Sequence, residues 1–257
     1  MNLEADLKSL FTEAPAGLAG LVLAGVGLAD RYAVRPGPIG DVFVAFNDRG
    51  VTAVDLADSA EAFERRHVSI HGRPAVRVDD LPDRLARQVD TAIQEGRPGR
   101  LPVDLSDLTE FQQAVLRRAA TIPKGEVRPY GWIAKEIGRP RAVRAVGSAL
   151  AQNPVPVIIP CHRVVRSDGT LGKYSLGADE NKRVLLQMEG IDVDGLTSLA
   201  ARGVRFIGSD TTHIFCHPTC RNARRITDAH RVEFHSEADA EEAGYRACQV
   251  CRPAQAA

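Results

Sequence analysis

The stretch Pro160-Cys161-His162-Arg163-Val164-Val165 lies directly after the apolar run 155–159, in which valine and isoleucine predominate. A thiol beside an imidazole, at the end of a stiff β-branched segment, has the components of an activated nucleophile, because a nearby base raises the thiolate fraction of a cysteine. A buried cysteine of this kind is also often a small apolar packing group. The residues that flank the pair are therefore needed to distinguish a nucleophilic cysteine from a core residue.

The flanking sequence favours the nucleophile. Asn153-Pro154-Val155-Pro156 precedes the Cys-His pair, and Gly169-Thr170-Leu171-Gly172-Lys173-Tyr174-Ser175 follows it. Together with the central stretch they strongly resemble the O6-alkylguanine-DNA alkyltransferases, repair proteins that take an alkyl group from guanine onto one cysteine. The resemblance covers about residues 35 to 190. It implies an α+β fold in which an amino-terminal, ribonuclease H-like sheet-plus-helix domain (1–104) supports a helical alkyltransferase domain (105–195).

Composition places the chain among globular proteins, because 44% of its 257 residues are hydrophobic and 26% are charged. The most apolar stretch, residues 18–29, is too short to cross a bilayer and lacks the basic flank of a signal peptide. We expect this stretch to be an early amphipathic or core segment. We also expect a monomeric, cytoplasmic protein that makes no contact with a membrane.

The charges are unevenly distributed although the net charge is zero. Residues 111–166 contain 10 Lys and Arg against 2 Asp and Glu, whereas residues 1–110 contain 12 against 18. A local basic excess around the candidate nucleophile is the electrostatic pattern expected of a surface that binds DNA. A solvated basic surface without a ligand is the alternative interpretation.

The amino-terminal part has the pattern of a sheet with helices. Apolar and polar residues alternate on both sides of Asn47-Asp48-Arg49-Gly50, which predicts a β-hairpin over 39–56. Residues 60–67 and 83–95 have helical spacing, and 97–102 is rich in proline and glycine, as in a linker.

After Thr109 the pattern is helical. Short helices predicted over 131–137 and 141–151 are separated by Gly138-Arg139-Pro140, which indicates a helix-turn-helix. The second of these helices contains small residues that would let a backbone approach a narrow groove closely. The resemblance implies that it binds double-stranded DNA in the minor groove, with the target nucleotide flipped out, because a stacked guanine cannot meet a thiol in line. The predicted DNA contacts in this helix are Arg144, which would fill the gap that the flipped nucleotide leaves in the DNA, with Ala145, Gly147 and Ser148. Arg163, beside the Cys-His pair, is a further predicted contact.

The resemblance also implies a guanine pocket. Tyr130 would donate a proton or hydrogen bond to the base, and Tyr174 and Pro156 would flank the ring. Tyrosines suit this because they offer an aromatic face and a phenolic proton. The remaining predicted pocket residues are Leu150 as an apolar wall, Ser175 facing O6, and the carbonyl groups of Cys161 and Val164, which would bind the exocyclic amine.

Activation of Cys161 needs a proton acceptor. The resemblance assigns this role to His162, acting through a water, with Glu189 orienting the imidazole and Asn153 holding the active-site backbone. An ionised carboxylate stabilises an imidazolium, which in turn stabilises a thiolate. Because a thioether is a poor leaving group, we expect each molecule to react once, and we expect guanine dealkylation to need no cofactor.

Four further cysteines occur near the carboxyl terminus. Cys216 and Cys220 have the spacing Cys-x3-Cys, and Cys248 and Cys251 the spacing Cys-x2-Cys. Two such pairs are a strong signature of a tetrahedral zinc site. Disulfides are the alternative, but they are rare in cytoplasmic proteins.

The segment 205–257 resembles the zinc-binding domain of Ada-type repair proteins, in which one zinc-bound cysteine removes a methyl group from DNA methylphosphotriesters. Cys216 matches that acceptor. The arginine expected three residues after the second cysteine is replaced by Ala223, with Arg224 and Arg225 beside it, and the zinc domain follows the guanine-repair unit instead of preceding it. Three roles therefore stay open for this domain: phosphotriester repair, a purely structural module, and methylation sensing in transcription.

Overall fold

The structure, a computed structural model, describes residues 18–174, 176–177 and 179–253. It contains both helices and sheets, an α+β arrangement. Within the described residues the helices α1–α9 span Leu18–Gly25, Ala60–His71, Asp83–Glu95, Glu110–Ala119, Tyr130–Glu136, Val143–Ala151, Asp179–Met188, Val193–Ala201 and Glu237–Glu242. The strands β1–β10 span Asp30–Arg35, Val42–Asn47, Gly50–Leu56, Ala75–Arg77, Arg128–Pro129, Val164–Val165, Phe206–Ser209, Ile214–Cys216, Arg231–Phe234 and Arg246–Ala247.

The amino-terminal sheet has the strand order β3-β2-β1-β4. Strands β2 and β3 form the predicted hairpin, and β4 lies parallel to β1 at the edge. Asn47 Oδ1 accepts hydrogen bonds from the backbone N–H groups of Arg49 and Gly50, which stabilises the tight turn. The prediction of a hairpin at this place is confirmed.

The apolar stretch near the amino terminus is not the core segment that its composition suggested. Helix α1 has no buried residue, and Leu21 and Val22 are 49% and 57% exposed. The helix contacts the sheet through Gly20, which lies against Val76 of β4. Because it is apolar on every side, only a small part of its surface can face that strand. No helix among the described residues is long and apolar enough to cross a membrane.

Helices α4, α5 and α6 form the helical unit. Both α5 and α6 begin and end within two residues of the predicted bounds. Thr109 and Gln112 form a complete capping box at the start of α4, which satisfies two backbone donors at that end. One continuous core includes buried residues of the amino-terminal sheet, α3 and these helices, and Cys161 belongs to it. The amino-terminal sheet and the helical unit therefore share a single hydrophobic core.

The carboxy-terminal module is a second four-stranded sheet with the order β10-β8-β7-β9. Strand β8 ends at Cys216, and β10 ends one residue before Cys248. Because β8 and β10 are parallel neighbours, the two cysteine pairs are brought to the same edge of this sheet.

A test of the amino-terminal fold is the substitution Gly50→Ala. Gly50 has a φ of +143°, and a Cβ there would overlap the backbone carbonyl of Pro102. Both effects act against any side chain, so we expect unfolding by urea to show a loss of more than about 2 kcal/mol. Gly131→Ala is the control, because a Cβ at that helical position meets no atom within 4 Å. Equal stability of the two variants would contradict the assigned turn.

Candidate functional site

Cys161 begins a short 3-10 turn, Cys161–Arg163, between the apolar run and strand β6. Its side chain is almost buried, with 6% exposure. Asn153 holds this turn from one side: its Nδ2 donates to the Ile159 carbonyl at 2.9 Å and lies 3.2 Å from Cys161 Sγ. An N–H donor at this distance favours the thiolate over the thiol.

Glu189 binds both residues that follow Cys161. Its Oε1 lies 2.9 Å from His162 Nε2, and the Arg163 guanidinium donates to both carboxylate oxygens. The carboxylate holds the imidazole with hydrogen on Nε2, which leaves Nδ1 as the basic nitrogen. Among the described residues none hydrogen-bonds to Nδ1.

Burial and hydrogen bonding determine the protonation states of His162 and Glu189. Burial lowers the pKa of His162, although Glu189 opposes the shift, so the imidazole is neutral and able to accept a proton at neutral pH. Burial works against ionisation of Glu189, but the hydrogen bonds from His162 and Arg163 outweigh it and lower the pKa of Glu189 to about 2. The pair is thus a neutral base held by a permanent anion.

The structure corrects the prediction that Arg163 binds DNA. Its side chain is fully buried, and besides Glu189 it donates to the carbonyl oxygens of Ile122 and Glu95. A guanidinium with its donors in buried hydrogen bonds has no surface to offer a phosphate. Arg163 instead neutralises Glu189 and ties the active-site turn to helix α3, where Gly96 lies directly against the guanidinium.

Lys182 is a functional candidate that sequence reasoning missed. It is fully buried, and its Nζ donates to the Val164 carbonyl at 2.6 Å and the Leu171 carbonyl at 2.5 Å. Burial lowers its pKa to about 8, and the neighbouring Cys161 works in the opposite direction. The sequence feature that could have identified Lys182 is its position seven residues before Glu189, which is two helical turns along the same face.

The two predicted pocket tyrosines both lie near the thiol. Burial, and then the proximity of Cys161, raise the pKa of Tyr130, and the same two causes raise the pKa of Tyr174 well above its usual value. Both phenols therefore stay protonated at neutral pH. The Tyr174 ring meets the His162 ring edge-on, with centroids 6.2 Å apart.

The structure describes most of the remaining predicted pocket residues. Leu150 and Pro156 are buried, and Leu150 packs in the core that contains Cys161. The Cys161 and Val164 carbonyls each accept a hydrogen bond within the protein, from Val164 N–H and Lys182 respectively. Ser175 lies outside the described residues, and its contact with O6 stays a prediction.

The predicted DNA-contacting residues of α6 share one surface. Arg144, Ala145 and Ser148 are exposed, whereas Gly147 is half-buried, with Tyr130 4.0 Å from the position of a Cβ there. The helix thus presents small side chains and one arginine next to the tyrosine of the pocket.

The four carboxy-terminal cysteines come together as the spacing predicts. Their Sγ atoms all lie within 4.8 Å of one another, and all four residues are buried. Four thiols at this separation suit one tetrahedral zinc ion, with Cys216, Cys220, Cys248 and Cys251 as ligands. None of the described cysteines forms a disulfide.

A cavity of about 390 Å³ opens beside one of these thiols. Cys216 lines it, together with Thr211, Thr212, Arg225 and His230. Hydroxyl, guanidinium and imidazole groups can all donate to phosphate oxygens. Ala223, at the position where the resemblance expects an arginine, is buried, while Arg225 stands at the cavity.

Two family models match this chain. Residues 110–191 match the 6-O-methylguanine DNA methyltransferase, DNA binding domain, and residues 198–254 match the metal binding domain of Ada. The bifunctional transcriptional activator and DNA repair enzyme Ada of Escherichia coli is 39% identical over 63% of this chain, which matches only 46% of the length of Ada. The methylated-DNA–protein-cysteine methyltransferase of Methanosarcina barkeri is 37% identical over 62% of this chain and 96% of its own length. The chain belongs to the methylated-DNA–protein-cysteine methyltransferases.

Solved structures agree with this family. The OGT of Mycobacterium tuberculosis, crystallised in complex with DNA, superimposes with a TM-score of 0.50 and 30% identity, over 65% of this chain and 99% of that one. The enzyme class of the methyltransferase is therefore transfer of a methyl group from methylated DNA to a protein cysteine, and its carboxy-terminal module is a zinc site.

The buried carboxylate of this methyltransferase gives a pH test. Because the folded pKa of Glu189 is about 2 and its ordinary value is 4.5, the unfolded chain binds more protons between these values, and stability falls as pH falls through that window. We expect Glu189→Gln to remove a contribution on the order of 3 kcal/mol to the difference in unfolding free energy between pH 6 and pH 2.5. Glu180→Gln, at an exposed position of α7, is the control. An unchanged pH dependence in Glu189→Gln would contradict the assigned ion pair.

Proposed function

We propose that this chain repairs DNA by one irreversible transfer of a methyl or other alkyl group from O6 of guanine to Cys161. The observation that carries the proposal is the group formed by Cys161, Asn153 and the Glu189-bound His162, which joins a thiol, a donor to sulfur and a neutral base in one buried turn. The residue roles that follow are part of this proposal.

The first step forms the thiolate. The proton of the Cys161 thiol passes through a water to His162 Nδ1, and the imidazolium that forms is stabilised by the ionised Glu189. Asn153 Nδ2 and the buried ammonium of Lys182 stabilise the sulfur anion. Positive charge and hydrogen-bond donors near a cysteine are the usual means of raising its thiolate fraction.

The second step transfers the alkyl group. A bond forms between Cys161 Sγ and the alkyl carbon while the bond from that carbon to O6 breaks, and the electron pair stays on guanine. Tyr130, kept protonated by its raised pKa, protonates the departing base and later recovers a proton from solvent. Because the thioether does not leave, Cys161 accepts one group only, and no organic cofactor or metal takes part in this step.

The arrangement of the DNA-facing helix supports a minor-groove complex with a flipped base. Helix α6 presents Arg144, Ala145 and Ser148 outward, beside the pocket that contains Tyr130. Small residues allow close approach to a narrow groove, and an arginine can occupy the space of an extruded nucleotide. The full proposal assigns residues 1–104 to a ribonuclease H-like supporting domain, 105–195 to alkyl transfer and 205–257 to the zinc module, in a monomer of the reducing cytoplasm.

A second activity is supported by the cavity at Cys216. We infer that the Cys216 sulfur forms a bond to the methyl carbon of a methylphosphotriester of the DNA backbone while the bond from that carbon to the phosphate oxygen breaks, which leaves a phosphodiester anion. Arg225 and the threonines bind the phosphate oxygens. Bound zinc keeps the thiol deprotonated, which preserves a nucleophile at neutral pH. A structural module and an Ada-type regulator are the alternatives, and neither requires such a cavity beside a ligand sulfur.

The main experiment maps the acceptors. Zinc-loaded protein is incubated with methylated DNA and digested, and methylated cysteines are identified by mass spectrometry. We expect methyl groups on Cys161 and Cys216, loss of the first in Cys161→Ala, and loss of the second in Cys216→Ser. Methyl on Cys161 alone would refute the second activity at Cys216, and no methyl on Cys161 would overturn the proposed repair.

Arg144 provides a separate test of base flipping. We expect Arg144→Ala to lower the rate of transfer from alkylguanine in duplex DNA by about tenfold or more, because the flipped state loses the group that fills the gap. Transfer from the free alkylated base, which needs no flipping, should change little. Arg87→Ala, an exposed arginine on α3, controls for loss of one positive charge. Equal losses with both substrates would contradict this role.

A further inference from the structure

One segment, residues 126–136, lies between the two thiol sites. On one side, strand β5 within it pairs in parallel with β6, which directly follows the Cys161–Arg163 turn. Helix α5 then begins at Tyr130, the proposed proton donor, and forms the first helix of the helix-turn-helix. The position of this segment therefore sets the position of Tyr130 relative to Cys161.

The opposite side of the same segment is bound to the loops that carry the zinc ligands. Thr219 Oγ1 accepts from Val127 N–H at 2.8 Å, and Arg221 N–H donates to Glu126 Oε1 at 3.0 Å. These two partners are the immediate neighbours of Cys220. Trp132 Nε1 donates to the carbonyl of Cys251 itself at 3.0 Å.

Most of these contacts are buried, so they cannot be replaced by water without rearrangement. Trp132 is only 7% exposed, and the guanidinium groups of Arg118 and Arg128 each lie 5.7 Å from the centre of its ring. The Glu136 side chain is 1% exposed and binds both Arg118 and Arg252, the residue after Cys251. A buried donor or carboxylate that loses its partner is costly, whereas the intact set is satisfied.

We propose that the zinc module is a structural part of the guanine-repair site, and that Trp132, Glu126 and Thr219 position Tyr130 through it. This inference rests on the proposed transfer to Cys161. Coordination of one metal by both cysteine pairs fixes the loops 216–220 and 248–251 relative to each other. When these loops separate, the Trp132 indole, the Val127 N–H and the Glu126 carboxylate lose their partners together, and the 126–136 segment shifts away from β6.

The direct test removes the metal from the full-length protein with a chelator in the presence of a non-thiol reductant. Trp132 is the only tryptophan, so intrinsic fluorescence reports on the contact itself. We expect a red shift of its emission, faster hydrogen exchange in residues 126–136 but not in strands β1–β3, and a transfer rate to Cys161 lowered about tenfold, as expected for one or two lost hydrogen bonds. Restoring zinc should reverse all three changes.

Two conservative variants test the route without removing the metal. Thr219→Val deletes the hydroxyl that binds Val127, and Trp132→Phe keeps an aromatic ring but deletes the donor to Cys251. In each zinc-loaded variant we expect the transfer rate to fall about fivefold, and the further effect of the chelator to become smaller than in the unmodified protein. Thr91→Val, which removes a hydroxyl bonded only within helix α3, should retain the unmodified rate and the full chelator effect.

These experiments distinguish failure of the positioning role from failure of the proposed transfer to Cys161. Zinc-loaded protein that transfers no alkyl group to Cys161 would refute the proposed function. Normal transfer that is the same with and without zinc, with unchanged Trp132 emission, would refute only the positioning role. Loss of hydrogen-exchange protection throughout the chain on chelation would also refute it, because the effect would then be global unfolding.

Discussion

The structure of the active site depends on the buried carboxylate of Glu189. A lone carboxylate in this position would be expelled or protonated, because removing a charge from water costs several kcal/mol. The fully buried Arg163 provides the opposite charge, and its remaining donors are taken by the Ile122 and Glu95 carbonyls. Only because this pair is satisfied can Glu189 stay ionised and hold His162 in the tautomer that accepts a proton. The Glu189–Arg163 ion pair therefore links the protonation state of His162 to the packing of three separate segments of the chain.

Lys182 is a further buried charge near Cys161. An ammonium held by two carbonyl oxygens carries its charge into the core, and the nearby Asp179 and Cys161 favour that charge. Such a group is stabilised whenever a neighbouring thiol ionises. In the proposed transfer, Lys182 and His162 both act on Cys161, the first as a cation and the second as a neutral base.

The sequence predicted the parts of the fold in which local chemistry is decisive. The Asn47 turn, the start of α4 after Thr109 and the two cysteine pairs each have a short-range physical cause, and each was located correctly. Arg163 was misassigned because an arginine beside a catalytic pair has the same pattern whether it faces DNA or a buried carboxylate 26 residues later. The exposure of residues 18–25 could not be inferred either, since it depends on how little of strand β4 is available to that helix. Lys182 was missed for a similar reason: its acceptors, Val164 and Leu171, lie in a strand and a loop whose path has no local signal.

A separate cavity lies beside His162 and Glu189. His162 and Glu189 border a cavity of about 360 Å³ whose lining also includes Gly37, Gly96 and Lys124, and thus comes from both domains. The tyrosines of the guanine pocket are not among its described lining residues. In the proposed transfer, His162 can pass its proton to this cleft instead of to the pocket that contains the two tyrosines. The segment 36–38 is then more than a scaffold, because it forms part of the wall of the cavity that His162 borders.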